Sequence, residues 1–395
     1  MSLITHYPRA AVSSRPGLHV MMLGLRGFPN VQGGVEKHVE NLGRELTVLG
    51  CSVEAVVRTP YVGKDAPREW HGVRLRRLWS PRIKGVEPFV HTFLGVLRAA
   101  WTRPDVLHIH GIGPALFTPL CRMLGLHVVV THHMANYDNE KWNRFERKVL
   151  RFGEWAAMVL SHARISVSPS LAEQMRREYK VSVQPIPNGI DPPARQQSSE
   201  ILESYALTPR RYFVMVARID QQKRQLDLIA AFARLGRTDW KVALVGGADH
   251  KSAYTRAVEE AARATPGVVM LGQRIGAELA AMYANAGAFV LPSSHEGQPI
   301  AMLEALSYGC PVVLSDIPPH REVRTSIGRY FTPGDIDGLA EQLRSVCASD
   351  SAQRLDETER TRILREHNWR RIAEKTLAVY EEARRKPALR ALASR

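Results

Sequence analysis

A chain of 395 residues is longer than one ordinary hydrophobic core organises, so two domains are expected. Its composition, 45% hydrophobic and 24% charged, is that of a globular protein and excludes a disordered or collagen-like chain. The formal net charge of +15 is uneven, with 25 Lys/Arg against 14 Asp/Glu in residues 1–190 and 29 against 25 in residues 191–395.

That excess in the first half suits nucleic acid, an acidic membrane surface or a phosphorylated acceptor. No apolar run approaches the roughly 20 residues of a membrane span. Residues 1–17 hold Arg9 and Arg15 without an apolar stretch, which reads as a loose tail and not a signal peptide. Cys51, Cys121, Cys310 and Cys347 are scattered, show no ligand spacing, and suit a reduced, cytoplasmic protein.

Residues 18–25 read as the first strand. The loop 26–34 ends in Gly33-Gly34, and Val35, Val39, Leu42, Leu46 and Leu49 then recur at helical spacing. Strand, glycine loop and helix bring backbone N–H groups to a phosphate, although a Gly-Gly alone is equally a tight turn. Further strands are expected at 52–57, 73–78, 106–110, 128–131 and 165–167. Alternating strand and helix predicts a doubly wound α/β domain over 18–190, with 191–209 as a polar, proline-bearing linker. The scheme repeats over 210–368, with strands at 213–217, 242–245, 268–271, 288–291 and 312–314. A helix at 369–386 is expected to pack back toward the first domain.

The second domain places Arg218 and Lys223 in the loop after its first strand. Glu296 follows a later strand, and Glu304 lies within the next helix. Ligands of open α/β sheets sit beyond the carboxyl ends of strands. Cations there suit a diphosphate and carboxylates suit sugar or ribose hydroxyls; singly, each is a solvated loop charge. Asp335-Ile-Asp337 resembles a metal–nucleotide signature but precedes a helical pattern, so Asp335 reads as its N-cap.

Four histidines gather in the first domain. His132 and His133 are adjacent and so point to opposite faces, while His108 and His110 share a face without an acidic or cysteine partner at ligand spacing. No metal is expected; His133 reads as a polar contact reaching the cleft or as a satisfied strand-end histidine. Between residues 58 and 84, basic residues interleave with Trp70, Leu75, Leu78 and Trp79, a pattern suited to peripheral membrane contact or to a solvated face. A second basic row, Arg144, Arg147, Lys148 and Arg151, runs beside Phe145, Val149, Phe152 and Ala156. No helix-turn-helix, RRM or zinc-finger spacing supports nucleic acid.

Taken together, Gly33-Gly34, Thr131-His-His133, Ser166-Val-Ser-Pro-Ser170, Pro187-Asn-Gly-Ile-Asp191, Arg218 with Lys223, Val245-Gly-Gly247 and Glu296-Gly…Glu304-Ala resemble family 4 of the retaining GT-B glycosyltransferases. The resemblance spans about residues 18 to 383. It implies a GT-B fold, two doubly wound Rossmann-like domains facing a central cleft. It implies transfer of a hexose from a UDP-, GDP- or dTDP-linked sugar, without a cofactor, to a glycan or polyprenyl-diphosphate-linked acceptor of surface-polysaccharide or lipopolysaccharide synthesis. The site would lie at the cytoplasmic face of the inner membrane.

By the same resemblance, Gly33 and Gly34 would face the donor diphosphate, with Arg218 and Lys223 opposite. Glu296 would hold the transferred sugar and Glu304 the ribose, His133 would touch the reacting face of the sugar and Gln273 would lie by the base, with Gly297 and Gln298 also binding the donor. The segment from His133 to Trp142 is similar to a surface-polysaccharide subgroup. It puts Asn136 and Asp138 toward the acceptor, although Asn136 stands where that subgroup often has a carboxylate. Pro299 has no N–H for a phosphate, which leaves neighbouring amides to supply it. A nucleotide-sugar 2-epimerase of the same fold remains an alternative. A dinucleotide oxidoreductase is disfavoured, since no Gly-x-Gly-x-x-Gly opens either domain.

Overall fold

The computed structural model describes residues 17–63, 66–83, 85–135, 143–193, 200–249, 251–348 and 354–387. The first part of the chain supplies β1 (His19–Leu23), β2 (Ser52–Arg58), β3 (Glu69–Trp70), β4 (Val73–Leu78), β5 (Val106–His110), β6 (Val128–His132), β7 (Ala163–Ser166) and β8 (Gln184–Pro185). They pair in the order β3-β4-β2-β1-β5-β6-β7-β8, and every pair except β3 with β4 is parallel. The second part supplies β9 (Tyr212–Val216), β10 (Lys241–Val245), β11 (Val268–Gly272), β12 (Ala288–Leu291), β13 (Val312–Ser315) and β14 (Gly328–Phe331). Their order is β11-β10-β9-β12-β13-β14, all parallel.

Helices cover both faces of each sheet, so the central strands are continuous apolar runs and not alternating ones. Strands β12 and β13 are buried at every position. Each sheet reverses its winding once, between β1 and β5 in the first and between β9 and β12 in the second. Loops leaving the carboxyl ends of these strands flank the crevice where such folds bind ligands.

The C-terminal helix, Trp369–Arg385, lies against the first sheet and not the second. Asn368 caps it by accepting from Arg371 N at 3.2 Å. Its Trp369, Ile372 and Tyr380 share one core with Val39, Leu42 and Leu46. Full burial of one such apolar side chain is worth about 1.5–3 kcal/mol. Tyr380 buries its hydroxyl within 2.7 Å of His108 Nδ1, so that polar atom keeps a partner. The chain therefore crosses between the two units twice, and the crossings are tied together: Ile190 N donates to His367 O at 2.8 Å.

Asp335 is the helix cap its position implied, accepting from Gly338 N at 2.9 Å. The four cysteines are unpaired. Among the described residues no helix is long and apolar enough to cross a membrane.

The 58–84 stretch is not one basic, aromatic face. Arg58 is buried against Glu87 at 3.1 Å, Trp70 donates to Glu40 at 2.7 Å, and Leu75 faces the core. These positions belong to strands β2–β4, where alternate side chains turn inward. Arg74, Arg76, Trp79, Arg82 and Ile83 remain exposed; Lys64 and Lys84 lie outside the described residues.

Candidate active site

The loop leaving β1 ends at Gly33, which starts the Gly34–Val48 helix without any side-chain cap. Uncapped first-turn N–H groups are free to meet an anion. A Cβ on Gly33 would fall 1.9 Å from Glu36 Oε2 and 2.5 Å from Arg26 Nη2, whereas Gly34 borders open space. Glycine at 33 thus lets the Arg26–Glu36 pair close at 3.0 Å beneath the loop. The loop leaving β9 carries Arg218 and Lys223. The loop leaving β12 carries Glu296, Gly297 and Gln298 and ends at Pro299, which starts the Ile300–Ser307 helix, again without a side-chain cap.

These loops enclose a cavity of about 410 Å³ between the two units. Gly33, Gly34 and His133 line it from the first unit. Arg218, Lys223, Gln273, Glu296, Gly297, Gln298 and Glu304 line it from the second. Asn136 and Asp138 lie outside the described residues.

Two carboxylates on the cavity wall are each held by a lysine. Lys223 Nζ meets Glu296 Oε1 at 2.5 Å, with Glu296 only 5% exposed. Glu304 is bridged by Lys37, which reaches across from the first unit, and accepts from the Tyr283 hydroxyl at 3.0 Å. Burial works against the Lys37 charge, but Glu304 outweighs it and the pKa of the lysine is raised. Arg218 pairs with Asp249 at 2.5 Å, and Asp249 also pairs with Arg26 of the first unit. Burial opposes the charge on Asp249, yet the two guanidiniums hold its carboxyl below the usual range.

Uncharged contacts also span the cleft. Gln273 Nε2 donates to Asn30 O at 3.1 Å, and Gly247 N donates to Gln32 Oε1 at 2.9 Å. Gln298 sits at the inter-unit junction, where its Oε1 accepts from Asn188 N at 2.6 Å and its main-chain O accepts from Asn188 Nδ2 at 2.7 Å. A Cβ on Gly297 would stand 1.6 Å from His133 O, so only glycine lets the two units come this close.

His132 and His133 do part to opposite faces. His132 pairs with buried Glu154 at 2.8 Å, away from the cleft. His133 stays on the cavity wall, with Nε2 3.1 Å from His110 Nδ1. Burial and then the neighbouring histidines push His133 well below the ordinary imidazole range, so it is neutral at pH 7. Sequence reading missed Lys37, His38, Asp249 and Tyr283, and had Asn188 only inside the Pro187–Asp191 motif, without a role. Lys37 carried one signal, its place one turn into the helix that Gly33 opens; the others are brought in by tertiary closure.

Two family descriptions match the chain: "Glycosyltransferase Family 4" over residues 32–193 and "Glycosyl transferases group 1" over residues 210–349. The chain is a GT-B glycosyltransferase of family 4. As a hexosyltransferase of this family it draws its sugar from a nucleotide-sugar donor, and the epimerase and oxidoreductase alternatives give way. This glycosyltransferase is 28% identical to an alpha-maltose-1-phosphate synthase of Mycobacterium tuberculosis, over 92% of its own chain and 99% of that one. It is 25% identical to a phosphatidyl-myo-inositol mannosyltransferase of Mycobacterium leprae, over 89% and 94% of the two chains. A sucrose-phosphate synthase structure from Thermosynechococcus elongatus superposes with a TM-score of 0.78 at 21% identity, covering 92% of this chain and 98% of that chain. That likeness is one of fold.

Proposed function

We propose that this glycosyltransferase moves a hexose, with retention at the anomeric carbon, from a nucleotide diphosphate sugar to a lipid-linked glycan acceptor of surface-polysaccharide or lipopolysaccharide synthesis, at the cytoplasmic face of the inner membrane. The observation that carries the reading is the placement of Lys223–Glu296 and Lys37–Glu304 around one cavity. Carboxylates held in place by cations present fixed acceptors to sugar hydroxyls. Glu296 then holds the hexose, and Glu304 the ribose. Arg218, Lys223 and the uncapped N–H groups after Gly33 and Pro299 stabilise the departing nucleotide diphosphate.

Glu296 is committed to Lys223, which leaves it poorly disposed to act as a nucleophile. The acceptor therefore attacks on the face the donor leaves, and the departing phosphate oxygen takes the acceptor proton. His133, neutral, offers the sugar a hydrogen bond without adding charge. The lipid-linked acceptor is favoured by an exposed apolar and basic face on the first unit, where Phe89, Trp101, Phe145 and Phe152 reach solvent. Among the relatives, one name carries a sugar phosphate and another a phosphatidyl lipid, so a water-soluble sugar phosphate is the second acceptor class to assay.

A thermal-shift screen of UDP-, GDP-, dTDP- and ADP-sugars identifies the donor, and one nucleotide is expected to raise Tm above the rest. Glu296→Ala and Lys223→Ala are each expected to lower kcat/KM by about 10²–10³. Full activity in both variants would remove the site assignment.

A further inference from the structure

Three imidazoles from three elements meet behind the cavity wall, and His133 is the one that lines it. His38 comes from the Gly34–Val48 helix, His110 from the end of β5, and His133 from just beyond β6. One ring nitrogen of each lies within 4.8 Å of one from each of the others. Their ring centroids form a triangle with sides of 4.9, 5.4 and 5.5 Å. A tetrahedral zinc ion holds imidazole nitrogens at about 2.0–2.1 Å, which sets the ring centres of three such ligands roughly 5 Å apart. The triangle is thus already the size of a three-histidine metal face, and the rings need to turn more than move.

His38 also has the outer support such a ligand uses. Its Nδ1 lies 2.8 Å from Asn188 Oδ1, while Asn188 Nδ2 donates to Gln298 O at 2.7 Å. The amide oxygen can only accept, so His38 Nδ1 donates and Nε2 keeps the lone pair. A hydrogen bond on the far nitrogen orients a metal-bound histidine and raises its basicity. His38 and His110 are 3% and 1% exposed, and the Nε2 atom of each is buried without a hydrogen-bond partner among the described residues. Buried polar atoms without partners call for an explanation, and a ligand supplies one. His133 is only partly buried and lines the cavity, so the group is reached from that side.

We propose that His38, His110 and His133 bind a divalent transition-metal ion of the zinc class, and that the ion inhibits transfer by taking His133 away from the sugar. The inhibitory half rests on the reading of His133 as a sugar contact. Imidazole suits zinc, copper, nickel and iron, and among the described residues no carboxylate joins the group as magnesium would require. The ion is an inhibitor and not a cofactor, because the charge needed for bond breaking stands elsewhere, on Arg218 and Lys223.

Metal-free enzyme is titrated with Co²⁺ alone and then with Zn²⁺. One equivalent of Co²⁺ is expected to give the strong visible bands of four-coordinate cobalt and to be displaced by one equivalent of Zn²⁺. Weak six-coordinate bands only, from surface histidines, would overturn the site. His38→Gln and His110→Gln are expected to weaken Zn²⁺ binding at least about tenfold. A folded variant, judged by Tm, that binds Zn²⁺ as tightly as the wild type would also overturn it; where a variant does not fold, the wild-type cobalt spectrum decides. Stoichiometric Zn²⁺ is expected to block transfer and EDTA to restore it, whereas full transfer with the site occupied would overturn the inhibitory half. The cobalt spectrum needs no sugar donor, so failure of the metal site and failure of the functional reading are told apart.

Discussion

Tyr283 holds one oxygen of Glu304 at 3.0 Å while Lys37 holds the other. The carboxylate is thereby fixed in one orientation before any ligand arrives, and preorganisation of this kind lowers the cost of binding. Burial and then Glu304 raise the Tyr283 pKa well above its usual value, so the phenol stays a donor. Hydrogen bonds to charged groups contribute about 1.5–3 kcal/mol, so Tyr283→Phe is expected to raise the donor KM roughly tenfold or more with kcat little changed. Steady-state kinetics with varied donor measure this; a KM within twofold of wild type would take Tyr283 out of that role. Nothing in the sequence announced it. Glu296, Arg218 and Lys223 were legible because each is a charge in a loop after a buried strand, and Glu304 because it is the one charge in the short apolar helix that follows such a loop. Tyr283 reads only as one more aromatic on a helix, and Lys37, His38 and Asn188 gain their meaning from contacts made when two separately wound units close.

At the scale of elements, the parallel strands were legible for a simple reason: strands covered on both faces are short apolar runs ended by turn residues, as in β12 and β13. The short edge strands β3 and β8 carry no such run and were missed. The Val86–Thr102 helix was opaque for a different reason. Val96 and Ala99 are fully buried, yet Val86, Phe89, Phe93, Leu97 and Trp101 are exposed along one stripe. A helix apolar on both faces does not declare which face meets the sheet. The loop after β12 shows what an element boundary can hold. Gly297 lets the second unit approach His133 O, and an added Cβ would lie 1.6 Å from that oxygen. Gly297→Ala is expected to leave each unit folded, with near-native circular dichroism. It should also spread the cleft by about an ångström and cut kcat/KM by about 10² or more. Native activity in this variant would mean that the units do not need to close this far.

For the whole molecule, the decisive asymmetry is where the apolar surface lies. The Val86–Thr102 stripe has a neighbour in the Arg144–Leu160 helix, where Phe145, Phe152, Trp155 and Val159 are exposed. The Pro114–Phe117 turn packs against both helices, and the Phe117 ring lies 4.8 Å from Phe89 and 6.0 Å from Phe93. Patches of exposed large apolar side chains mark a surface made to be covered. Arg82, Arg103, Arg144, Arg147, Lys148 and Arg151 stand exposed around it, while Glu87 and Glu154 on the same helices are buried. An apolar face rimmed by cations fits an anionic bilayer better than a second copy of the same basic chain. Helices in a parallel α/β fold run back from the carboxyl ends of the strands, so both start at the cleft edge. A membrane seated here would deliver a lipid-linked acceptor beside His133. Wild-type enzyme is expected to co-sediment with vesicles containing anionic lipid at low salt and to be released as salt screens the attraction. Trp101→Glu with Phe145→Glu should abolish binding while shifting Tm little, since both side chains are exposed. Vesicles that never bind the wild type would sink the idea, and a dimer in sedimentation velocity that the double variant dissolves would assign the face to a second copy instead.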